Sequence, residues 1–134
     1  MADLIYTDGK RRMLAHLAGQ PLKIMLLGAG YEPDAAHAVL ADVAAHEIVG
    51  EGYAAGGQAL QNLAAQAVGA GAILAADAPL WPDSSISARY AVVYDATEGG
   101  DGPLLRLFDF TELKTSDGGP FEIVFDATGA MGLA

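Results

Sequence analysis

The chain has 134 residues, 52% of them hydrophobic, and 17 acidic against 7 basic side chains give it a formal net charge of −10. That length supports one domain, residues 1–134, with a core of its own. The absence of cysteine excludes disulfide frameworks, thiolate metal sites and cysteine nucleophiles, and the carboxylate excess opposes both nucleic-acid binding and attraction to anionic membranes.

Thr7-Asp8 reads as the cap of a short helix running to Gly19, with Leu14 and Leu17 as its apolar stripe and Lys10, Arg11 and Arg12 in solvent. The opening residues lack the basic-then-apolar order of a signal peptide, and no apolar run approaches the roughly 18–20 residues of a membrane span. The expectation is a protein made in the cytoplasm with no membrane segment. The run Pro21 to Leu27, closed by Gly28, has the length and punctuation of a strand. Glu32-Pro33-Asp34 starts a turn, and Ala35 to Ile48 has helical composition with a partial 3.6-residue period through Val39, Leu40 and Val43. Gly50 to Leu60 is a glycine-rich bend leading into an extended segment.

Gln61 to Ala76 is alanine-rich and weakly patterned. Gly69-Ala70-Gly71 resists a helix, and Ala72 to Leu74 suits a short strand. Ala76 to Asp83 reads as a proline-bracketed loop holding the only tryptophan, Trp81. Three alternating segments follow: Ile86 to Tyr94, Leu104 to Phe110 and Phe121 to Asp126. Period-2 alternation places Ile86, Ala88, Tyr90, Val92 and Tyr94 on one face of the first. The connectors are rich in turn residues, so the three read as an antiparallel meander. Met131 to Ala134 suits a short edge strand. The predicted class is mainly β with short N-terminal helices, an α+β arrangement built as an antiparallel β-sandwich or barrel-like meander.

Sequence motifs for chemistry are incomplete. Gly28-Ala29-Gly30 is followed by Pro33 where a dinucleotide fingerprint needs glycine, and Gly50-Glu51-Gly52 puts a glutamate where a pyrophosphate would lie. His46-Glu47 opens the letters of a zinc protease motif, but the second histidine position is Gly50. No Gly-x-Ser-x-Gly elbow frames any serine. The loop Asp95 to Asp101 crowds three carboxylates, enough oxygen for calcium, without EF-hand spacing; a solvated acidic turn is the plainer reading. The expectation is therefore no enzyme, no cofactor and no metal. Tyr53, Trp81, Tyr90 and Tyr94 are residue types enriched in interface cores and equally common in sheet cores. Arg89 interrupts a neutral strand and reads either as half of a cross-strand ion pair or as a docking contact.

Three blocks carry a resemblance: Gly50-Glu51-Gly52-Tyr53-Ala54-Ala55-Gly56-Gly57-Gln58-Ala59-Leu60, Leu80 to Asp95 with its Ala88-Arg89-Tyr90-Ala91-Val92-Val93-Tyr94-Asp95, and Leu107-Phe108-Asp109-Phe110 with Phe121-Glu122-Ile123-Val124-Phe125. With Leu22 to Leu27, Tyr31, His37 and Asp42-Val43 in the same order, the chain resembles a family of small virion structural proteins of tailed bacteriophages. The resemblance implies a place in the virion. The leading expectation is a head decoration or cement protein that docks on the capsid lattice, with the major capsid protein or other virion proteins as partners and a homo-oligomer as its state. Docking would use Tyr53, Trp81, Arg89, Tyr90 and Tyr94. The alternatives are a tail or baseplate component, or a carbohydrate- or receptor-binding module with the Trp81 loop as sugar platform and the Asp95–Asp101 loop as calcium site.

Overall fold

Strands dominate because β-branched, aromatic and alternating segments outnumber helical ones, and the computed structural model is mainly β with one N-terminal α-helix and several antiparallel sheets that close no barrel. It describes residues 4–97, 102–126 and 129–133. The elements are α1 (Thr7–Ala18), β1 (Leu22–Leu27), two 3₁₀ turns (Leu40–Asp42 and Ala44–His46), β2 (Gln58–Ala59), β3 (Ala64–Val68), β4 (Gly71–Ala75), β5 (Leu80–Ser84), β6 (Ser87–Asp95), β7 (Leu104–Thr115), β8 (Gly119–Glu122) and β9 (Met131–Leu133). They form sheets of order β2-β1-β6-β7, β3-β4-β9 and β5-β8.

The four-stranded sheet is covered on both faces. Leu22, Ile24 and Leu26 of β1 enter one core with Leu14, Leu74, Trp81 and Phe121, while Met25 and Leu27 enter a second with Tyr31 and Val43. β6 follows the same rule with a break. Ile86 and Ala88 lie in the first core; after a register irregularity between Ala88 and Tyr90, Ala91 and Val93 take that side, and Tyr90, Val92 and Tyr94 turn to the second. The expected single face of Ile86, Ala88, Tyr90, Val92 and Tyr94 is thus split. Across the irregularity β6 advances from Ala88 to Tyr90 while β7 passes from Lys114 to Asp109, and a break in register lets the side chains beyond it take the opposite sides.

Several expectations change for local reasons. Thr7 and Asp8 lie inside α1 and do not cap it: Tyr6 holds the cap position without a side-chain bond, Thr7 Oγ1 donates to the Ala70 carbonyl at 3.1 Å, and Asp8 accepts from Arg11 and Arg12. Of helix, Ala35 to Ile48 contains only the two 3₁₀ turns, and Val39 and Glu47 form isolated bridges to Pro103 and Leu27. Its backbone is committed elsewhere: Leu104 N–H donates to Ala38 O and Leu40 N–H to Gly102 O, and the Asp42 carboxylate takes the N–H groups of Ala38 and Val39. Trp81 lies in strand β5, not in a loop. The third segment of the expected meander pairs with β5 instead of β7, since Trp81 stands opposite Phe121 and Ile123 N–H donates to Pro79 O. β7 runs on to Thr115 by absorbing a kink at Thr111, where φ is 65° and the Asp109 carboxylate accepts the Thr111 N–H at 2.7 Å. The strands at Leu22 to Leu27, Ala72 to Leu74 and Met131 to Leu133 stand where the sequence puts them.

The glycine bend is where the backbone is tightest. Gly57 has φ 77°, and a Cβ there would overlap the Ile24 carbonyl oxygen of β1. Gly69, at the β3–β4 turn, has φ 58° with open space around it. Gly57→Ala should therefore lose more than the about 1–3 kcal/mol that a strained backbone conformation costs by itself. Gly69→Ala should lose about 1–2 kcal/mol. Urea unfolding of the two variants measures the difference.

Candidate functional site

The segment Glu47 to Gly57 is a strap bound to the main sheet by polar groups. The Tyr53 hydroxyl donates to Glu47 Oε2 at 2.6 Å and accepts from Leu26 N–H at 3.1 Å. The same Glu47 oxygen accepts from Gly56 N–H at 2.7 Å, and the Tyr94 hydroxyl donates to Gly56 O at 2.6 Å. One carboxylate and two phenols thus hold a glycine-rich loop that has few apolar side chains of its own to bury. Burial, with the Glu47 hydrogen bond behind it, pushes the Tyr53 phenol well above its ordinary value; burial also pushes up that of Tyr94.

The aromatic residues singled out for docking are mostly structural. Trp81 is 5% exposed, between Tyr53 at 5.9 Å and Phe121 at 6.1 Å between ring centroids. It offers no open face to a sugar, which removes it as a platform. Tyr90 and Tyr94 are buried, with Tyr90 edge-on to Tyr31 at 5.7 Å. Tyr53 is half-buried and occupied by Glu47. These side chains fill cores, since a ring with a reachable hydrogen-bond partner packs as well inside as at an interface.

Arg89 resolves as the cross-strand pair. Its Nε donates to Asp109 Oδ1 at 3.0 Å, and its guanidinium lies 5.1 Å from the Tyr90 ring centroid. Asp109 also takes the Thr111 N–H, and these two bonds hold its carboxyl below the usual carboxylate range. The pair remains partly exposed. Of the acidic loop, Asp95 accepts from the N–H and hydroxyl of Thr97, while Glu98 to Asp101 lie outside the described residues.

Tyr31, Asp34, His37, Asp42 and His46 line an open depression of about 550 Å³. The Tyr31 hydroxyl is 2.9 Å from His37 Nδ1, and the His46 ring meets Tyr31 edge-on at 5.4 Å. The Asp42 carboxylate that would orient His37 is spent on the backbone of Ala38 and Val39. Burial pushes the Tyr31 phenol up, and its bond to His37 clasps the second core. Among the described residues, no three His, Asp or Glu side chains converge as metal ligands.

The outer face of the β5–β8 sheet is different. Trp81 and Phe121 point inward, and Leu80, Pro82 and Pro120 are exposed beside Asp83 and Glu122. A two-sided antiparallel sheet ordinarily shows polar residues outward. Sequence reading missed this face because prolines signal loop boundaries; only Leu80 alternating with Trp81 hinted at it. Comparison with protein-family models, with characterised proteins and with solved structures finds no match to the chain.

Tyr53→Phe leaves Leu26 N–H without the hydroxyl it donates to and takes one donor from the Glu47 carboxylate, which keeps the Gly56 N–H, and should cost about 1–3 kcal/mol in urea unfolding. The phenols of Tyr31, Tyr53 and Tyr94 are held neutral by the fold, so their contribution is complete below the unfolded tyrosine value of about 10 and is lost as pH rises beyond it. The phenolate absorbance of the folded protein should lag that of the urea-unfolded chain, and Tyr53→Phe should shrink the lag. Arg89→Ala should leave the melting temperature nearly unchanged, because a partly exposed ion pair contributes little.

Proposed function

We propose that the chain is a virion structural protein that docks on other virion proteins, in the first place a decoration protein on the capsid lattice. The observation that carries this reading is the outward apolar face of β5–β8, Leu80 with Pro82 and Pro120. Exposed apolar groups gathered on one rigid face favour a protein contact. Two prolines fix the backbone there, so less conformational freedom is lost on docking. A net charge of −10 suits a partner with basic patches, which would steer the approach. A subunit that binds only the assembled lattice stabilises it by mass action. The reading also rests on the resemblance of the Gly50–Leu60 and Leu80–Asp95 blocks to phage virion proteins.

The experiment is quantitative mass spectrometry of purified particles, with binding of the isolated protein to particles stripped of it. Decoration predicts copies in proportion to the major capsid protein. A handful of copies, located at the tail, would move the protein to the tail; none would overturn the reading. Leu80→Asp should leave the melting temperature unchanged and weaken particle binding at least tenfold.

A further inference from the structure

Among the described residues, the longest row of exposed apolar side chains lies ahead of α1. Leu4, Ile5 and Tyr6 are 71%, 55% and 78% exposed, and Tyr6 is extended, with φ −60° and ψ 144°. The root of this arm is fixed, because Thr7 Oγ1 and Lys10 Nζ both donate to the Ala70 carbonyl at the β3–β4 turn. In its own molecule, therefore, the arm stays in water.

A groove of matching chemistry runs along β7. This strand is one edge of the four-stranded sheet. Leu104 N–H is taken by Ala38, and beyond it β7 pairs, among the described residues, only with β6. Two depressions of about 240 and 280 Å³ lie between β7 and residues 121–126, and they share Phe110, Ile123 and Val124, so they form one channel. Phe108 and Phe125 extend its apolar lining, and Val124 is 76% exposed. Asp109, Glu122 and Asp126 stand along it against Arg106 and Lys114.

Charge names the occupant. Residues 1–18 hold three basic side chains and two acidic; residues 19–134 hold four basic and fifteen acidic. The α1 segment of one molecule, with Lys10, Arg11 and Arg12 against Asp8, and the acidic body of another attract. We propose that the Leu4–Tyr6 arm of one copy adds as a short extended strand to the β7 groove of a second copy. Main-chain bonds to the strand edge would give affinity, and alternate apolar side chains in the channel would give register. The contact joins two different surfaces, so it is head-to-tail, leaving a free arm at one end and a free groove at the other. It concerns the protein in isolation, so its failure leaves the lattice-docking proposal standing, and the reverse also holds.

The test is sedimentation equilibrium of the full chain over a hundredfold concentration range. The unaltered protein should gain mass with concentration, and about 0.5 M salt should reduce the gain by screening. The double variant Ile5→Asp, Tyr6→Asp should be monomeric, as should Val124→Lys, each with an unchanged melting temperature. An equal mixture of the two should form a dimer and nothing larger, since one partner supplies the only intact arm and the other the only intact groove. Should Val124→Lys melt early, Glu122→Lys on the same channel takes its place. A monomer at every concentration would overturn the proposal, as would an oligomer that survives both variants or a mixture that stays monomeric. Loss of particle binding in an arm variant of a monomeric protein would assign the arm to the virion partner instead.

Discussion

Strand β6 sits between β1 and β7 with side chains buried on both of its faces, and the rest of the molecule is arranged to cover it. A strand buried on both sides needs a layer over each face. One layer is made by α1 with the β3-β4-β9 and β5-β8 sheets, which share the first core; the other by the irregular segment carrying Tyr31, Leu40 and Val43. Removing large apolar side chains from water contributes on the order of 1.5–3 kcal/mol each. Two faces of one strand therefore account for several layers of structure. Alternation lets the one strand serve both cores, and the irregularity at Arg89 exchanges which positions face which.

Covering the sheet with loops creates a polar difficulty that Glu47 resolves. Loop backbone in contact with a core must find hydrogen-bond partners. The Glu47 carboxylate supplies them to Gly56 and Tyr53, and Tyr94 supplies one to the Gly56 carbonyl, so the strap lies on β1 with its polar atoms satisfied. No buried side-chain nitrogen or oxygen among the described residues lacks a partner. Tyr31 and His37 fasten the opposite cover in the same manner.

This interior use of aromatic rings shapes the surface. With Trp81, Tyr90 and Tyr94 inside, the apolar groups left at the surface include Leu80 with its neighbouring prolines, the Leu4–Tyr6 arm, and the phenylalanine-lined channel beside β7. The charge distribution adds direction, since three of seven basic residues stand together in α1. The docking proposed here would depend on shape and charge at faces that no single motif marks.

The residues alone determined the class, the helix ahead of β1, the strands of clear period-2 alternation and the tight bend at Gly50 to Gly57. Each of these follows from local rules, namely side-chain period, punctuation and the steric freedom of glycine. The Arg89 ion pair was also legible, because a guanidinium on a half-buried strand seeks a carboxylate. Tertiary structure decided what depends on partners distant in the chain. Phe121 pairs with Trp81 across 40 positions rather than with its nearer neighbour β7, Ala38 to Leu40 give up a helix to bond with residues 102–104, and Tyr90 turns away from the side Ala88 faces. Local pattern records whether a side chain alternates; which surface receives it is set by the packing of all layers together, and that choice is made only when the chain is folded.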